Sequence, residues 1–312
     1  MKEFDLIAVI AGQHPMPPLP DLQMVPHGGM TAVMTTAPRP VLRLPQSRRQ
    51  TLVEAATRLA WQEACMPLGT VLPARQDSPL TPDAAVDFLT ANHPFLTHLM
   101  QRFKGLAQVQ VTVSWTESGV LTRFRDAPEL ATVFAATAIQ PEALASAVQN
   151  LANRLAGGIG QGLAAVSVET AALPLAPAML WNGAVLVPLA QMDALNSAVE
   201  AVDAIWPEGL QIRQIGPAPA GSFATLALER VSQRQIATAM AAFGLASLAE
   251  VDQLAARRRD RLMTTTEADQ RDGLRRQADL VAAAARLPMA KGFSWAGVWA
   301  EGLSAPQQRE VA

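Results

Sequence analysis

The stretch Gln108-Val-Gln-Val-Thr-Val-Ser-Trp115 decides the fold of the second half of the chain. Its valines and tryptophan occupy every second position, and polar residues occupy the positions between them. Because successive side chains of a strand point to opposite faces of a sheet, this alternation predicts a strand with one buried face and one polar face.

The segments after this strand predict a helix, two strands, a second helix and a further strand. The first helix begins at Pro141, where apolar residues recur at helical spacing, and the second helix runs over 192–206. We expect strands over 163–170, 184–189 and 210–215. Together with the opening strand, the order is β-α-β-β-α-β, which is typical of a ferredoxin-like (split βαβ) domain whose antiparallel sheet carries helices on one face.

The remaining segments predict a smaller α+β domain before this one and helices after it. Strands are expected over 4–10 and 30–35, and a single helix is expected from Thr81 to Phe103. A helix capped by Ser47 has apolar residues at helical spacing, namely Leu52, Ala55, Ala56, Leu59 and Ala60. Turn residues at Glu117-Ser-Gly119 predict a partner strand over 120–125.

After Val231 the composition indicates helices over 232–243, 247–262 and 267–287, followed by a loosely packed tail from Pro288. The predicted architecture is therefore α+β with two domains and a helical extension. The predicted boundaries are 1–106 for the N-terminal α+β domain, 107–231 for the ferredoxin-like domain and 232–312 for the C-terminal helices.

Composition narrows the class of protein. Half of the 312 residues are hydrophobic and 17% are charged, which indicates a folded chain with a sizeable core. A net charge of −2 argues against a general nucleic-acid binder. No apolar run approaches the about 20 residues of a membrane-spanning helix, and the first ten residues do not match a signal peptide, so we expect a cytoplasmic protein with no membrane partner.

No pattern in the sequence indicates catalytic, cofactor-binding or metal-binding residues. The single cysteine, Cys65, excludes an internal disulfide and a cysteine-based zinc site, and is best explained as a small buried hydrophobe. The histidines form no His-Glu-x-x-His motif, and there is no Gly-x-Ser-x-Gly motif. The glycine-rich stretch 157–162 follows a helix and precedes a strand, so we interpret it as a flexible connection rather than a phosphate-binding loop. We expect a protein that is not an enzyme.

Two further clusters allow either a structural or a partner-binding interpretation. Arginines are dense at Arg257-Arg-Arg259, Arg261 and Arg275-Arg276, which is typical of a solvated helix face and also fits a surface for an acidic partner. Trp295 and Trp299 fit either a hydrophobic anchor or a partner-binding face.

The turn Gly216-Pro-Ala-Pro-Ala-Gly-Ser-Phe223 leads directly into the apolar segment 224–231. This turn resembles a Gly-Pro-rich motif of the GvpF/GvpL family of gas vesicle accessory proteins. Two other stretches, Gly69-Thr-Val-Leu-Pro-Ala-Arg75 and the strand region 103–115, are similar to motifs of the same family in the same order. The resemblance covers residues 1 to about 231.

The resemblance implies a non-enzymatic, minor component of the gas vesicle. Proteins of this family bind the small hydrophobic shell protein GvpA and assist nucleation and assembly, in the company of other gas vesicle accessory proteins. The resemblance therefore predicts GvpA as the partner and the cytoplasm and gas vesicle as the location. It suggests a partner-binding surface that includes the following residues: Gly216, Pro217, Pro219, Ser222, Phe223 and Arg75.

The C-terminal helices also resemble a degenerate J-domain, in which Met263-Thr264-Thr265 stands roughly where the signature His-Pro-Asp would be. This second resemblance suggests an alternative function, a co-chaperone-like adaptor that acts through these helices. An enzyme is the third alternative, because no constellation of acid, base, nucleophile or metal ligands is visible.

Overall fold

The computed structural model of the chain describes residues 2–37, 47–76, 78–116, 119–286 and 293–300, with the backbone alone for 229, 230 and 293–300. The described chain divides into two compact units. One contains the chain up to Lys104 together with Ala224–Trp299, and the other contains Gly105–Phe223. This division differs from the three predicted segments, because residues 224–299 belong to the same unit as the N-terminal residues.

The first unit begins with an antiparallel sheet and helices. Its strands are β1 (Phe4–Ala11), β2 (Leu22–His27) and β3 (Met30–Thr35), followed by helix α1 (Arg48–Cys65) and strands β4 (Val71–Pro73) and β5 (Pro79–Leu80). The sheet order is β2-β3-β1-β4, and β5 pairs with the beginning of β1. Every side chain from Leu6 to Ile10 is fully buried, so the sheet is covered on both faces along β1.

The predicted helix over 81–103 is two helices, α2 (Pro82–Ala91) and α3 (His93–Arg102). Pro94 explains the break, because proline has no N–H to donate and its ring clashes with the carbonyl four residues earlier. Asn92 lies at the junction and is buried, and its side-chain amide donates to the carbonyl of Phe88 at 2.9 Å. The start of α2 is as predicted, with the Thr81 hydroxyl accepting from the backbone of Ala84 at 3.2 Å.

Helix α1 contacts the sheet with polar side chains as well as with Trp61 and Cys65. The Arg58 guanidinium donates to the carbonyls of Leu6, Ala74 and Arg75, and the Gln62 amide donates to the carbonyl of Ile7 at 3.0 Å. These carbonyls lie where β1 passes from β4 to β5 and its pairing register with β3 shifts between Leu6 and Ala8. The helix therefore adds hydrogen-bond donors at an irregular part of the sheet, where the carbonyl of Ile7 also accepts from the backbone N–H of Ala74 at 2.9 Å.

The second unit contains the ferredoxin-like element order. It comprises β6 (Leu106–Trp115), the short helices α4 (Val120–Arg123) and α5 (Pro128–Phe134), α6 (Pro141–Ala164), β7 (Glu169–Ala172), β8 (Met179–Pro188), α7 (Met192–Asp203) and β9 (Leu210–Ala218). The antiparallel sheet has the order β7-β8-β6-β9, which confirms the predicted fold class. The predicted strand over 120–125 is wrong, because α4 occupies this segment and Val120 is buried in the core.

The register of the sheet explains which face the helices cover. Val109 lies opposite Val185, Val111 opposite Gly183 and Val113 opposite Trp181. These residues share a face, and the buried core cluster on this side combines β6 valines with residues of α6 and α7. The alternation in the sequence therefore identified the covered face of β6 correctly.

The glycine-rich stretch 157–162 is helical, which corrects the prediction of a helix-to-strand connection. It forms the last turns of α6, whose buried residues continue at a spacing of four through the glycines: Ala147, Leu151, Leu155, Ile159 and Leu163. The burial of Ile159 and Leu163 outweighs the low helix propensity of glycine, which costs about 1 kcal/mol per residue relative to alanine.

The C-terminal elements return to the first unit. Strand β10 (Ala224–Val231) follows the turn, and then come α8 (Gln233–Ala242), α9 (Leu254–Thr264), α10 (Ala268–Ala284) and β11 (Phe293–Ala300). Arg75 donates its backbone N–H to the carbonyl of Leu226 at 2.7 Å, beside a parallel bridge between Ala74 and Leu226. Strand β10 therefore joins the first unit rather than the ferredoxin-like sheet.

The three predicted C-terminal helices are present. They share a cluster that contains Phe243, Leu254 and Val281, and Arg286 donates to the carbonyl of Ala91 at 2.8 Å. Part of the predicted loose tail is the strand β11, which pairs with β10. Pro288 lies outside the described residues, and so do the side chains of Trp295 and Trp299.

Candidate partner-binding surface

Strand β9 forms one edge of the ferredoxin-like sheet. Within the described chain it pairs with β6 and has no neighbour on its other side. The side chains of Gln211, Arg213 and Gln214 are exposed, and Leu210 is buried at the beginning of the strand. An edge strand presents backbone N–H and C=O groups that can pair with another chain, so β9 is a candidate docking element.

The face of the sheet opposite the helices is polar along β6. Gln108, Gln110, Thr112 and Ser114 occupy this face and are partly exposed. The side-chain oxygen of Asn182 on β8 accepts hydrogen bonds from Gln110 and Thr112, each at 3.1 Å. Along β6, this face therefore presents a row of uncharged polar side chains, two of which donate hydrogen bonds to Asn182.

The turn Gly216–Phe223 begins at the end of β9. Gly216 has φ +136°, and a β-carbon built on it would lie 2.7 Å from the carbonyl oxygen of Gln108, so the backbone approaches β6 closely. The Gln108 side chain accepts from the backbone N–H of Ser222 at 2.7 Å. The register between β6 and β9 shifts at Gln108, where the turn starts. The turn is thus fixed to β6 at both ends.

The structure separates the residues proposed for partner binding into exposed and buried ones. Gly216 and Pro217 are exposed and Ser222 is partly exposed, whereas Pro219 and Phe223 are buried. In this conformation Pro219 and Phe223 support the turn from inside and present no surface. Arg75 is exposed and belongs to the first unit, where its backbone pairs with Leu226.

The sequence did not identify the edge position of β9. Alternation predicts a strand and its buried face, but which strands neighbour it depends on the sheet order. A partial signal was the Gly-Pro pair at its end, because proline is confined to edge strands and bulges.

Three of the four histidines have structural partners. His27 lies 2.9 Å from the hydroxyl of Thr90, His93 lies 2.9 Å from the carbonyl of Gly28, and His14 lies 3.0 Å from the carbonyl of Ala11. Among the described residues there is no group of three or more His, Cys, Asp or Glu side chains that could hold a metal ion. Cys65 is fully buried, as predicted, and burial raises the pKa of its thiol to about 11.

Part of the arginine cluster has internal partners. Arg257 donates to the carbonyls of Phe243 and Gly244, at 3.0 Å for Phe243, and Arg258 lies 3.5 Å from Asp279. Arg259 and Arg261 are exposed on α9. Met263, which stands roughly where the absent J-domain signature would be, is 81% exposed near the end of α9.

No helix in the described ranges is long and apolar enough to cross a membrane. A search of curated proteins gave no match for this chain. Among solved structures, the chain is similar to the gas vesicle protein GvpF from Anabaena sp. PCC7120, with a TM-score of 0.54 and 19% identity over 70% of this chain and 97% of that one. It is also similar to GvpF from Microcystis aeruginosa, with a TM-score of 0.53 and 17% identity over 70% of this chain and 98% of that one.

These two likenesses show a shared fold. The family model described as gas vesicle synthesis protein GvpL/GvpF matches residues 19–225, which is more than half of the chain. The matched range includes the ferredoxin-like unit and the turn at Gly216, and it confirms the resemblance seen in the sequence motifs. This chain belongs to the GvpL/GvpF family of gas vesicle synthesis proteins.

Proposed function

We propose that this protein is a non-enzymatic gas vesicle accessory protein that binds the shell protein GvpA and assists nucleation and assembly of the vesicle. In this proposal it acts in the cytoplasm, becomes a minor component of the shell and works with other gas vesicle accessory proteins. The observation that carries the proposal is the family match over residues 19–225.

The proposed binding element is the edge of β9 together with the exposed residues Gly216 and Pro217. A shell subunit that buries apolar surface only on polymerisation needs a partner that covers this surface beforehand. An edge strand can supply main-chain hydrogen bonds to an extended segment of such a subunit, which is β-augmentation. The bulge and Pro217 at the end of β9 interrupt pairing there, so the segment Leu210–Ile215 offers the regular edge.

Two adjacent proline substitutions test this edge. Successive N–H groups of a strand point to opposite edges, so one of Arg213→Pro and Gln214→Pro removes a group from the β6 ladder and the other removes an outward group. The outward substitution should leave the thermal unfolding midpoint nearly unchanged. We expect the native protein to capture purified GvpA in a pull-down. The variant that lacks the outward N–H group should stay folded and lose most of this capture.

Full capture of GvpA by the variant that lacks the outward N–H group would contradict the proposal that the edge of β9 binds GvpA. Absence of GvpA capture by the native protein would contradict the proposed function itself. The other proline variant removes a hydrogen bond between β9 and β6 and should have a lower unfolding midpoint. The difference between the two midpoints identifies which N–H group points outward.

The alternative function is a co-chaperone-like adaptor that acts through α9 and α10. It is supported by the exposure of Arg259, Arg261 and Met263 on α9. Deletion of the C-terminal helices is a poor test, because Ala283 and Ala284 pack with Ala91 of the first unit. The double substitution Arg259→Glu and Arg261→Glu is a better test. If the protein is an assembly factor that uses β9, the double variant should still capture GvpA. If it is an adaptor that uses α9, the double variant should lose binding of the adaptor's partner.

A further inference from the structure

Helix α1 carries an apolar surface that faces away from the unit to which it belongs. Its inner face, with Arg58, Gln62 and Cys65, lies against the sheet. On the opposite side of the helix lies a row of residues that we call the outer stripe: Arg49, Leu52, Val53, Ala56, Leu59, Ala60 and Glu63. Leu52 is 63% exposed and Val53 is 58% exposed.

The exposure of this stripe is unusual, because an amphipathic helix normally buries its apolar residues. Residues 48–57 are exposed on every side, so the first half of α1 projects from the unit with its apolar residues in solvent. Leu52, Ala56 and Leu59 recur at the spacing of a helix-packing seam. A contiguous apolar row on a surface helix is typical of an interaction site.

The pattern of the outer stripe is symmetric under reversal about Ala56. In an antiparallel pair of α1 helices centred on this residue, Leu52 lies opposite Ala60 and Val53 lies opposite Leu59, because each pair is equally distant from Ala56 along the helix. Ala56 then meets its own copy. A small residue at the centre allows the two helix backbones to approach closely.

The charges at the two ends of the stripe also match under this reversal. Arg49 lies opposite Glu63, so an antiparallel pair brings two such Arg–Glu pairs together, one at each end of the seam. Neither side chain has an ion-pair partner within the part of the chain that the structure describes. The same sequence therefore supplies both halves of an apolar seam and of its flanking charges, as a two-fold symmetric interface requires.

We propose that the outer stripe is a self-association surface, on which α1 of a second copy of this chain packs antiparallel about a two-fold axis at Ala56. The stripe spans about 21 Å of helix at about 1.5 Å per residue. A single helix pair of this length lies at the small end of specific interfaces, so the dimer is weak and forms at micromolar or higher concentration.

Sedimentation velocity on the full chain tests this proposal with two matched substitutions. Ala56→Glu places two carboxylates against each other at the axis and should shift the monomer–dimer midpoint at least tenfold towards higher concentration. Ala55→Glu makes the same change at the neighbouring exposed position, about 100° around the helix, and should shift it by less than threefold. Circular dichroism checks that both variants keep the native helix content.

Charge reversal then identifies the partner as a second copy. Arg49→Glu and Glu63→Arg should each weaken dimerisation, because each creates two like-charge contacts across the axis. An equimolar mixture of the two variants restores opposite charges at both ends, and so does the double variant, so both should recover the native midpoint.

Three results would overturn the proposal. They are a native chain that stays monomeric up to submillimolar concentration, a dimer that Ala56→Glu leaves unchanged, and charge-reversal variants that do not recover on mixing. The last of these would assign the outer stripe to a different protein partner.

Discussion

The Arg58 guanidinium donates two hydrogen bonds to the carbonyl oxygen of Ala74, from Nε at 3.1 Å and from Nη2 at 2.9 Å. The same guanidinium also donates to the carbonyls of Leu6 and Arg75. The Arg58 side chain thus links α1 to strand β1 and to the segment that follows β4. This link helps to fix the orientation of α1, in which Leu52 and Val53 remain exposed.

Replacing Arg58 should destabilise the first unit. Arg58→Met removes the donors of several partly buried carbonyls, and we expect a loss of about 2 kcal/mol of unfolding free energy. Urea denaturation measures this loss. Arg48→Met, on the exposed first turn of the same helix, is the control and should change stability by less than about 0.5 kcal/mol. Equal stabilities of the two variants would show that the Arg58 hydrogen bonds contribute nothing.

A substitution at Gly216 separates backbone strain from steric contact. Gly216→Ala introduces a β-carbon at 2.7 Å from the Gln108 oxygen as well as a residue with φ +136°, so we expect a loss above about 2 kcal/mol. Gly105→Ala has a positive φ of 71° and nothing within 4 Å of the added carbon, so it should lose only about 1 kcal/mol. Thermal unfolding compares the two; a smaller loss at Gly216 would contradict the close approach to β6.

The glycines of α6 should respond differently to alanine. A β-carbon on Gly157 or Gly158 meets nothing within 4 Å, so Gly157→Ala and Gly158→Ala should each stabilise the protein by about 1 kcal/mol. At Gly160 the added carbon would lie 3.2 Å from Nε1 of Trp181, which should cancel most of this gain. Chemical denaturation measures the unfolding free energy of each variant and compares it with that of the native protein. Destabilisation by Gly157→Ala would argue against helix in this segment.

Cys65 should be unreactive in the folded protein. Burial raises the pKa of its thiol from 9.0 to about 11, so the nucleophilic thiolate is scarce at pH 8. Ellman's reagent should react slowly with native protein and rapidly after denaturation in urea. Since this is the one cysteine of the sequence, the signal reports a single site. Rapid reaction of the native protein would contradict the burial of Cys65.

The same thiol gives stability a dependence on alkaline pH. The folded protein holds the thiol proton more tightly than the unfolded chain, so this stabilising contribution is complete below pH 9.0 and is lost as pH rises towards about 11. Cys65→Ala removes this contribution. The variant should therefore show a flatter decline of unfolding free energy over that pH range than the native protein.

The sequence predicted the ferredoxin-like unit well because its signals are local. The valines of β6 alternate with polar residues, and α7 has Leu195 and Val202 at helical spacing. The errors arose where local signals compete. The low helix propensity of glycine led to the prediction that α6 ends before the glycines. The spacing of Leu151, Leu155 and Ile159 nevertheless continues into this stretch. Pro94 divided a helix whose apolar spacing was otherwise continuous.

The partner-binding surface was less accessible to sequence reasoning. The motif at Gly216 identified the family, but burial of Phe223 and exposure of Pro217 depend on how the turn folds against β6. Whether β9 is an edge or a central strand depends on pairing between distant segments, which no local period encodes.

By itself, the sequence determined the element order of the ferredoxin-like unit, the helical character of the C-terminal segment and membership of the gas vesicle family, because periodicity, caps and motifs are properties of neighbouring residues. The tertiary structure decided the rest. It placed β10 beside Ala74 instead of in the ferredoxin-like sheet, left β9 as an edge and exposed the outer stripe of α1. The reason is that these outcomes depend on contacts between residues far apart in the sequence, such as the hydrogen bonds from Arg58 to Ala74 and from Gln62 to Ile7, which no local pattern encodes.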